Sequence, residues 1–81
     1  MKILKFSATW CAPCQMLAKT FEGIEFPFEV KAIDIDEDQT TPAKYGVRGV
    51  PTVVLVEEDG TVVKRFSGHK NEKQIKEWLT Q

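Results

Sequence analysis

Residues that bind metals or cross-link a chain are scarce in this sequence. It contains two cysteines, Cys11 and Cys14, and a single histidine, His69, among 81 residues. A structural zinc site takes about four Cys or His ligands, so the chain cannot complete one alone. Two cysteines also exclude the frameworks of several disulfides that stabilise small secreted domains. We therefore expect no metal and no bound cofactor, and we expect the cysteine pair to carry out chemistry.

An excess of one charge and a long apolar run are both absent. Eleven Lys and Arg residues stand against twelve Asp and Glu residues, and the longest run of like charge is Glu57 to Asp59. This balance excludes binding to nucleic acid or to an anionic membrane through charge alone. Lys5 interrupts the apolar N-terminus before the core of a signal peptide or a membrane span could form. We expect a soluble, cytoplasmic monomer with a single domain over residues 1–81.

The first half of the chain shows the pattern of a strand, a helix and a second strand. Residues 2–8 are mostly apolar and predict a short strand. A helical pattern follows from Cys11, with Pro13 in its first turn and Gly23 as its stop signal. Polar and apolar residues then alternate at the start of residues 28–35, which is typical of an edge strand with one wetter side.

The second half predicts a short helix, two strands and a terminal helix. Residues 41–46 suit a single helical turn with Thr41 as its cap. The apolar run Val53 to Val56 indicates a strand that is buried on both faces near the centre of a sheet. An Asp-Gly hairpin signal separates it from an antiparallel strand over residues 61–67. Asn71 to Gln74 resembles a capping box, and a helix with an apolar stripe follows it.

These elements follow one another as β-α-β-α-β-β-α, without repeats, linkers or low-complexity segments. The first strand, helix and strand should form a parallel crossover, and the last two strands should form a hairpin. The predicted fold is therefore one α/β domain, in which a four-stranded mixed sheet is covered by flanking helices.

The cysteine pair lies where the first strand passes into the first helix, a context in which two cysteines separated by two residues are typically redox-active. Cys11 stands at or just before the helix start, where unpaired backbone N–H groups and the helix dipole favour a thiolate. Cys14 continues the apolar stripe. We therefore assign Cys11 as the accessible nucleophile and Cys14 as the more buried resolving thiol, with Pro13 fixing the turn between them. Half of a zinc site and a chance pair of buried thiols are the alternatives.

Two separated motifs resemble the thioredoxin family. They are Trp10-Cys11-Ala12-Pro13-Cys14 and Tyr45-Gly46-Val47-Arg48-Gly49-Val50-Pro51-Thr52, in the right order and spacing, and the resemblance covers nearly the whole chain. It implies a minimal thioredoxin-like fold without the extra N-terminal strand and helix, close in size to the glutaredoxins. It also implies a thiol-disulfide oxidoreductase that reduces protein disulfides through a mixed disulfide.

The same resemblance implies roles for individual residues. Cys11 and Cys14 become the redox pair, and Pro51 becomes a cis-proline that faces them. Val50 would offer backbone hydrogen bonds to a bound substrate strand, and a trans Pro51 that only starts a strand is the alternative. Gly49 and Gly68 would leave an open apolar surface beside Trp10. Alternatively, both glycines could simply serve turns. The implied substrate-binding residues are Trp10, Ala12, Pro13, Gly49, Val50, Pro51 and Gly68.

Three positions depart from the family pattern. Ala12 stands where thioredoxins usually have glycine, which affects the redox potential, and Lys19 replaces a proline that often kinks the first helix. Lys5, six residues before Cys11, stands where thioredoxins usually carry a buried aspartate that is thought to relay a proton for the second cysteine. Lys5 either lies partly buried and favours a thiolate at Cys14 by its charge, or extends its amino group to solvent and takes no part in catalysis.

The resemblance implies partners as well as residues. Protein disulfides are the expected substrates, and a thioredoxin-reductase-like enzyme or glutathione is the expected source of electrons. The expected role is electron transport in cell redox homeostasis. Two alternatives stay open. One is a glutaredoxin-like, glutathione-coupled electron donor, for example to ribonucleotide reductase, and the other is a non-catalytic protein-binding module whose disulfide is only structural.

Overall fold

Four strands form one mixed sheet in the computed structural model, which describes every residue from Met1 to Gln81. Their order across the sheet is β2-β1-β3-β4. β1 pairs with β2 in parallel, while β3 is antiparallel to both β1 and β4. The predicted mixed sheet, with an edge strand on one side and a hairpin on the other, is confirmed. The strands are β1 (Lys2–Ser7), β2 (Glu29–Asp34), β3 (Thr52–Val56) and β4 (Val62–Ser67).

Three helices accompany the sheet, α1 (Ala12–Glu22), α2 (Thr40–Lys44) and α3 (Glu72–Thr80). They follow the strands in the predicted order, β-α-β-α-β-β-α. None of them is long and apolar enough to span a lipid bilayer. α1 begins directly after Cys11, and Pro13 occupies its first turn, where a missing N–H costs no hydrogen bond.

Each face of the sheet has its own apolar core, because successive side chains of a strand point to opposite faces. One core joins the sheet to α1 and α3, and the other joins it to the segment around α2. Every residue of β3 is buried, as predicted for a central strand. The first core consists of Ile3, Leu17, Phe21, Ile24, Val53, Leu55, Phe66, Ile75 and Trp78. The second consists of Leu4, Phe6, Ile33, Val54 and Val56, with Tyr45 and Val47 packed against it.

The start of α2 differs from the prediction, and the expected cap at Thr41 is wrong. The helix begins at Thr40. The carboxylate of Asp38 accepts the backbone N–H groups of Thr40 and Thr41, each at 3.0 Å, and the Thr41 hydroxyl at 2.6 Å. The hydrogen bonds from Thr41 hold the pKa of Asp38 below its ordinary value. An acid can accept several donors and is favoured at a helix N-terminus, so Asp38 takes the role expected of the threonine.

The predicted capping box at the start of α3 is confirmed. The Asn71 side chain accepts the backbone N–H of Gln74 at 2.8 Å, and the Gln74 side chain accepts the backbone N–H of Asn71 at 3.0 Å. The helix then directs Ile75 and Trp78 into the core, where the Trp78 and Phe66 rings meet edge to face with centroids 4.9 Å apart. These contacts hold α3 against the sheet.

Removal of the Asn71 cap should destabilise the fold. Asn71→Ala leaves the Gln74 N–H without its acceptor, so we expect the free energy of unfolding, measured by urea titration, to fall by about 1 kcal/mol. Asn71→Asp keeps a side-chain acceptor and adds a negative charge that suits a helix N-terminus, so it should stay close to the parent. An alanine variant as stable as the parent would contradict this role of the cap.

Candidate active site

The two cysteines lie at the junction of β1 and α1, where the carboxyl end of a central strand meets a helix N-terminus. The backbone turns over residues 8–11, and the N–H of Cys11 donates to the carbonyl of Ala8 at 3.2 Å. Cys11 is the N-cap of α1 in an extended conformation, with φ of −97° and ψ of 109°. Its sulfur accepts the N–H of Cys14 at 3.2 Å. The predicted position of Cys11 just before the helix is confirmed.

Cys11 and Cys14 form a disulfide, with their Cα atoms 5.2 Å apart. The structure therefore describes the oxidised form of the pair. Both residues are buried, Cys11 with 5% of its surface exposed and Cys14 with 3%. The sequence predicts an accessible Cys11, and the structure corrects this for the oxidised form. The difference in exposure is small because both sulfurs belong to one cluster with Ala8, against which Ile35 and Val50 pack.

The loop before β3 faces the disulfide. The carbonyl oxygen of Val50 lies 3.8 Å from the Cys11 sulfur, and the peptide bond between Val50 and Pro51 is cis. The Pro51 carbonyl accepts the N–H of Gly68 at 2.9 Å, which ties this loop to the end of β4. The loop before β3 therefore meets the Cys11 sulfur and is itself held by the end of β4.

Open space surrounds the two glycines predicted to border the site. A methyl group placed on either Gly49 or Gly68 would meet no atom within 4 Å. Gly68 has a φ of +81°, a conformation that favours glycine. Gly49 has no such φ, and its carbonyl accepts the Thr52 hydroxyl at 2.7 Å. Gly68 is therefore required by its turn, whereas the backbone at Gly49 would tolerate a side chain.

Trp10 projects from the site with 68% of its surface exposed. Its indole N–H donates to the Asp36 carboxylate at 2.9 Å, so the ring is held although solvent surrounds it. Asp36 is not among the site residues predicted from the sequence. Its position in the sequence, just beyond β2, could have indicated it, because ligands bind at the sheet edge where the carboxyl ends of parallel strands meet. Ala12 and Pro13, between the cysteines, are also exposed and border the disulfide on the helix side.

Lys5 is half-buried, and its amino group lies over the Phe21 ring. The nitrogen is 5.2 Å from the centre of the Phe21 ring, and Phe21 follows Cys14 by seven residues, about 10 Å along a helix. A cavity of about 300 Å³ between α1 and β2 is lined by Lys5 together with Phe21 and Glu22. Burial lowers the pKa of Lys5, and the Glu22 carboxylate partly offsets this effect. These positions favour the interpretation in which Lys5 takes no part in the thiol chemistry.

Comparison with known proteins decides the family. The family model described as thioredoxin matches residues 1–81. This chain belongs to the thioredoxin family. The thioredoxins of Staphylococcus aureus and Listeria monocytogenes are each 36% identical to it, over 83 and 76 aligned positions respectively. The alignments cover 98% and 89% of this chain, and 79% and 73% of the two thioredoxins.

Solved thioredoxin structures share the fold of this family member. A mutant thioredoxin from Halobacterium salinarum matches it with a TM-score of 0.87 at 40% sequence identity, covering 96% of this chain and 70% of its own. The thioredoxin of Fasciola hepatica matches with a TM-score of 0.85 at 38% identity, covering 98% of this chain and 77% of its own. The predicted minimal thioredoxin-like fold is confirmed.

Thioredoxins are disulfide oxidoreductases, and this chain is a dithiol protein-disulfide oxidoreductase with a Cys11–Cys14 pair. The predicted family and enzyme class are thereby confirmed. The thioredoxin family acts on protein substrates and receives electrons from a reductase partner. Nothing in the chain or in its relatives favours the glutaredoxin-like donor or the non-catalytic binding module.

Replacement of Lys5 should leave thiol exchange unchanged and should alter the pH dependence of stability. Because the folded-state pKa of Lys5 is lowered, the unfolded chain binds more protons between the folded value and about 10.4, so the stability of the parent rises with pH across that interval. Lys5→Met lacks this rise, which urea titrations at a series of pH values will show. Both proteins should reduce protein disulfides with the same pH profile, and a shifted profile in the variant would return Lys5 to the mechanism.

Proposed function

We propose that this chain reduces protein disulfides, with Cys11 as the nucleophile and Cys14 as the resolving thiol. The observation that carries this assignment is the Cys11 sulfur at the N-cap of α1, where it accepts the Cys14 N–H at 3.2 Å. Unpaired N–H groups and the helix dipole stabilise negative charge at that position. The Cys14 side chain starts from the third position of the helix, and no backbone N–H donates to its sulfur.

In the first step the Cys11 thiolate attacks one sulfur of the substrate disulfide. A bond forms between Cys11 and that sulfur, the substrate disulfide bond breaks, and the second substrate sulfur leaves as a thiolate that takes up a proton. The product is a mixed disulfide on Cys11. The exposed groups around the buried sulfurs, Trp10, Ala12 and Pro13, form the side from which a substrate approaches.

In the second step the Cys14 thiol loses its proton and its sulfur attacks the Cys11 sulfur. The bond between Cys11 and Cys14 forms, the bond between Cys11 and the substrate breaks, and the electron pair leaves with the substrate sulfur, which is then protonated. Two electrons and two protons have passed from the dithiol to the substrate. The disulfide of the structure has the connectivity that this step produces.

The loop at residues 49–51 supports a site for an extended substrate strand. The Val50 carbonyl lies 3.8 Å from the Cys11 sulfur, so a substrate backbone that pairs with Val50 brings its own sulfur near Cys11. The space over Gly49 and Gly68 is open, and the Trp10 indole is exposed, so both sides of such a strand have room. We therefore assign substrate binding to Trp10, Ala12, Pro13, Gly49, Val50, Pro51 and Gly68.

The proposed unit is a single thioredoxin-like domain over residues 1–81, a cytoplasmic monomer that carries electrons from a reductase to protein disulfides. The similarity to thioredoxins over 98% of the chain supports a flavin thioredoxin reductase as the electron source rather than glutathione. Comparing the rates at which the two sources reduce the oxidised protein separates them. Faster reduction by glutathione would favour the glutaredoxin-like alternative.

Two cysteine variants test the order of the steps. Cys11→Ser should abolish reduction of a protein disulfide, because the nucleophile is lost, and a turnover assay with dithiothreitol measures this. Cys14→Ser should complete the first step and then accumulate a mixed disulfide between Cys11 and the substrate, because the resolving sulfur is missing. Mass spectrometry of the non-reduced protein detects that species. Catalysis by the Cys11→Ser variant is the result that contradicts the proposal.

Gly49→Val should slow the reduction of protein disulfides and spare that of small ones. The added side chain enters open space that a substrate strand would occupy, and the backbone at Gly49 tolerates it. We expect kcat/KM for a protein disulfide to fall about tenfold while that for a small aromatic disulfide changes little. Equal losses on both substrates would place the defect at the thiols and speak against a substrate groove at this loop.

A further inference from the structure

The resolving step requires a proton acceptor for Cys14, and Lys5 does not supply one. A protonated amine cannot act as a base, and the Lys5 amino group lies over Phe21, about two helical turns beyond Cys14. Near neutral pH a thiol with an ordinary pKa of about 8.5 is mostly protonated. A nearby base that takes this proton would speed the step.

A separate cavity of about 150 Å³ lies between β1, α1 and the end of β2. Both Cys14 and Asp34 line it, and Ser7 and Gln15 add polar groups to its walls. The pairing of β1 with β2 places Asp34 directly beside Ser7, at the carboxyl ends of both strands. This cavity is open to solvent on one side, so water molecules can enter it and contact its polar walls.

The Asp34 carboxylate keeps one oxygen without a hydrogen bond inside the protein. It is half-buried, and its Oδ1 accepts the N–H of Asp36 at 2.8 Å, which fixes the carboxylate and leaves Oδ2 to other partners. Apart from the thiol of Cys14, no other ionisable side chain lines this cavity. Lys5 and Glu22 line the neighbouring cavity, and Asp36 does not line the cavity that contains Cys14. Asp34 is therefore the one carboxylate that lines the cavity with Cys14.

We propose that Asp34 accepts the proton of the Cys14 thiol, through water in this cavity, as Cys14 attacks the mixed disulfide. The inference rests on the proposed function, since it assigns one proton of the second step. The S–H bond of Cys14 breaks, the proton passes to the Asp34 carboxylate, and the Cys14 sulfur bonds to Cys11 while the substrate sulfur leaves with the electron pair. The Asp34 carboxyl then returns its proton to the departing thiolate or to solvent, so the charges balance.

A stopped-flow reaction of the reduced protein with dithiobis(nitrobenzoate) separates the two steps. Cys11 releases one equivalent of coloured thiolate in a first phase, and Cys14 releases the second equivalent in a second phase. Only about 3% of an ordinary thiol is ionised at about pH 7, which limits the gain from a base to about thirtyfold. For Asp34→Asn we expect an unchanged first phase and a second phase slowed about tenfold at that pH. The difference should shrink as the pH rises, because more of the thiol then ionises without help.

Companion variants keep the result interpretable. Asp34→Asn and Asp34→Ser both remove the carboxylate but keep an oxygen that can accept the Asp36 N–H, so both should fold and both should slow the second phase. Asp59→Asn makes the same change of charge in the turn between β3 and β4, at the far end of the sheet, and should leave both phases unchanged. A parental second phase in both Asp34 variants would overturn the inference, and so would a slowing that is equal at every pH.

The failure of this inference can be told apart from the failure of the proposed function. If the parent releases no second equivalent, or if Cys11→Ser retains the first phase, the order assigned to the two cysteines is wrong. If the parent shows both phases and neither Asp34 variant differs from it, the order of the cysteines stands and only the assignment of the proton acceptor is wrong.

Discussion

The hydrogen bond from the Cys14 N–H to the Cys11 sulfur is the contact on which the site depends. The turn from β1 into α1 leaves backbone N–H groups without carbonyl partners, and one of these groups points at the Cys11 sulfur. The same first turn of helix brings the second sulfur within bonding distance of the first. The backbone therefore makes the two thiols unequal, and no ionised side chain is needed for that purpose.

The order of the strands explains why distant segments converge on this pair. β1 and β3 are adjacent and antiparallel, so the end of β1 lies beside the start of β3, which places Val50 and Pro51 opposite Cys11. β2 runs parallel to β1, so its carboxyl end reaches the same edge and brings Asp34 and Asp36 there. The mixed sheet thus places the Val50–Pro51 loop on one side of the cysteine pair and acidic residues on the other.

Features with a cause in neighbouring residues could be predicted from the sequence. The helix start at Cys11, the buried run of β3 and the capping box at Asn71 each depend on a few adjacent residues, and each occurs in the structure. The cap of α2 was mispredicted because the helix begins at Thr40, one residue before the expected cap, and the Asp38 carboxylate accepts the N–H groups of Thr40 and Thr41. The burial of Cys11 and the cavity that contains Asp34 depend on how strands and loops pack, which no local pattern encodes.

β4 forms an outer edge of the sheet, and unpaired edges of this kind invite strands from other chains and so promote aggregation. Two consecutive cationic residues lie on it and reach to opposite faces. Lys64 donates to the Trp78 carbonyl on the α3 side, and Arg65 donates to the Tyr45 carbonyl beside α2. Charged side chains along an edge disfavour the addition of a further strand. The chain can therefore leave the end of its sheet open around the disulfide while its flank resists indiscriminate pairing.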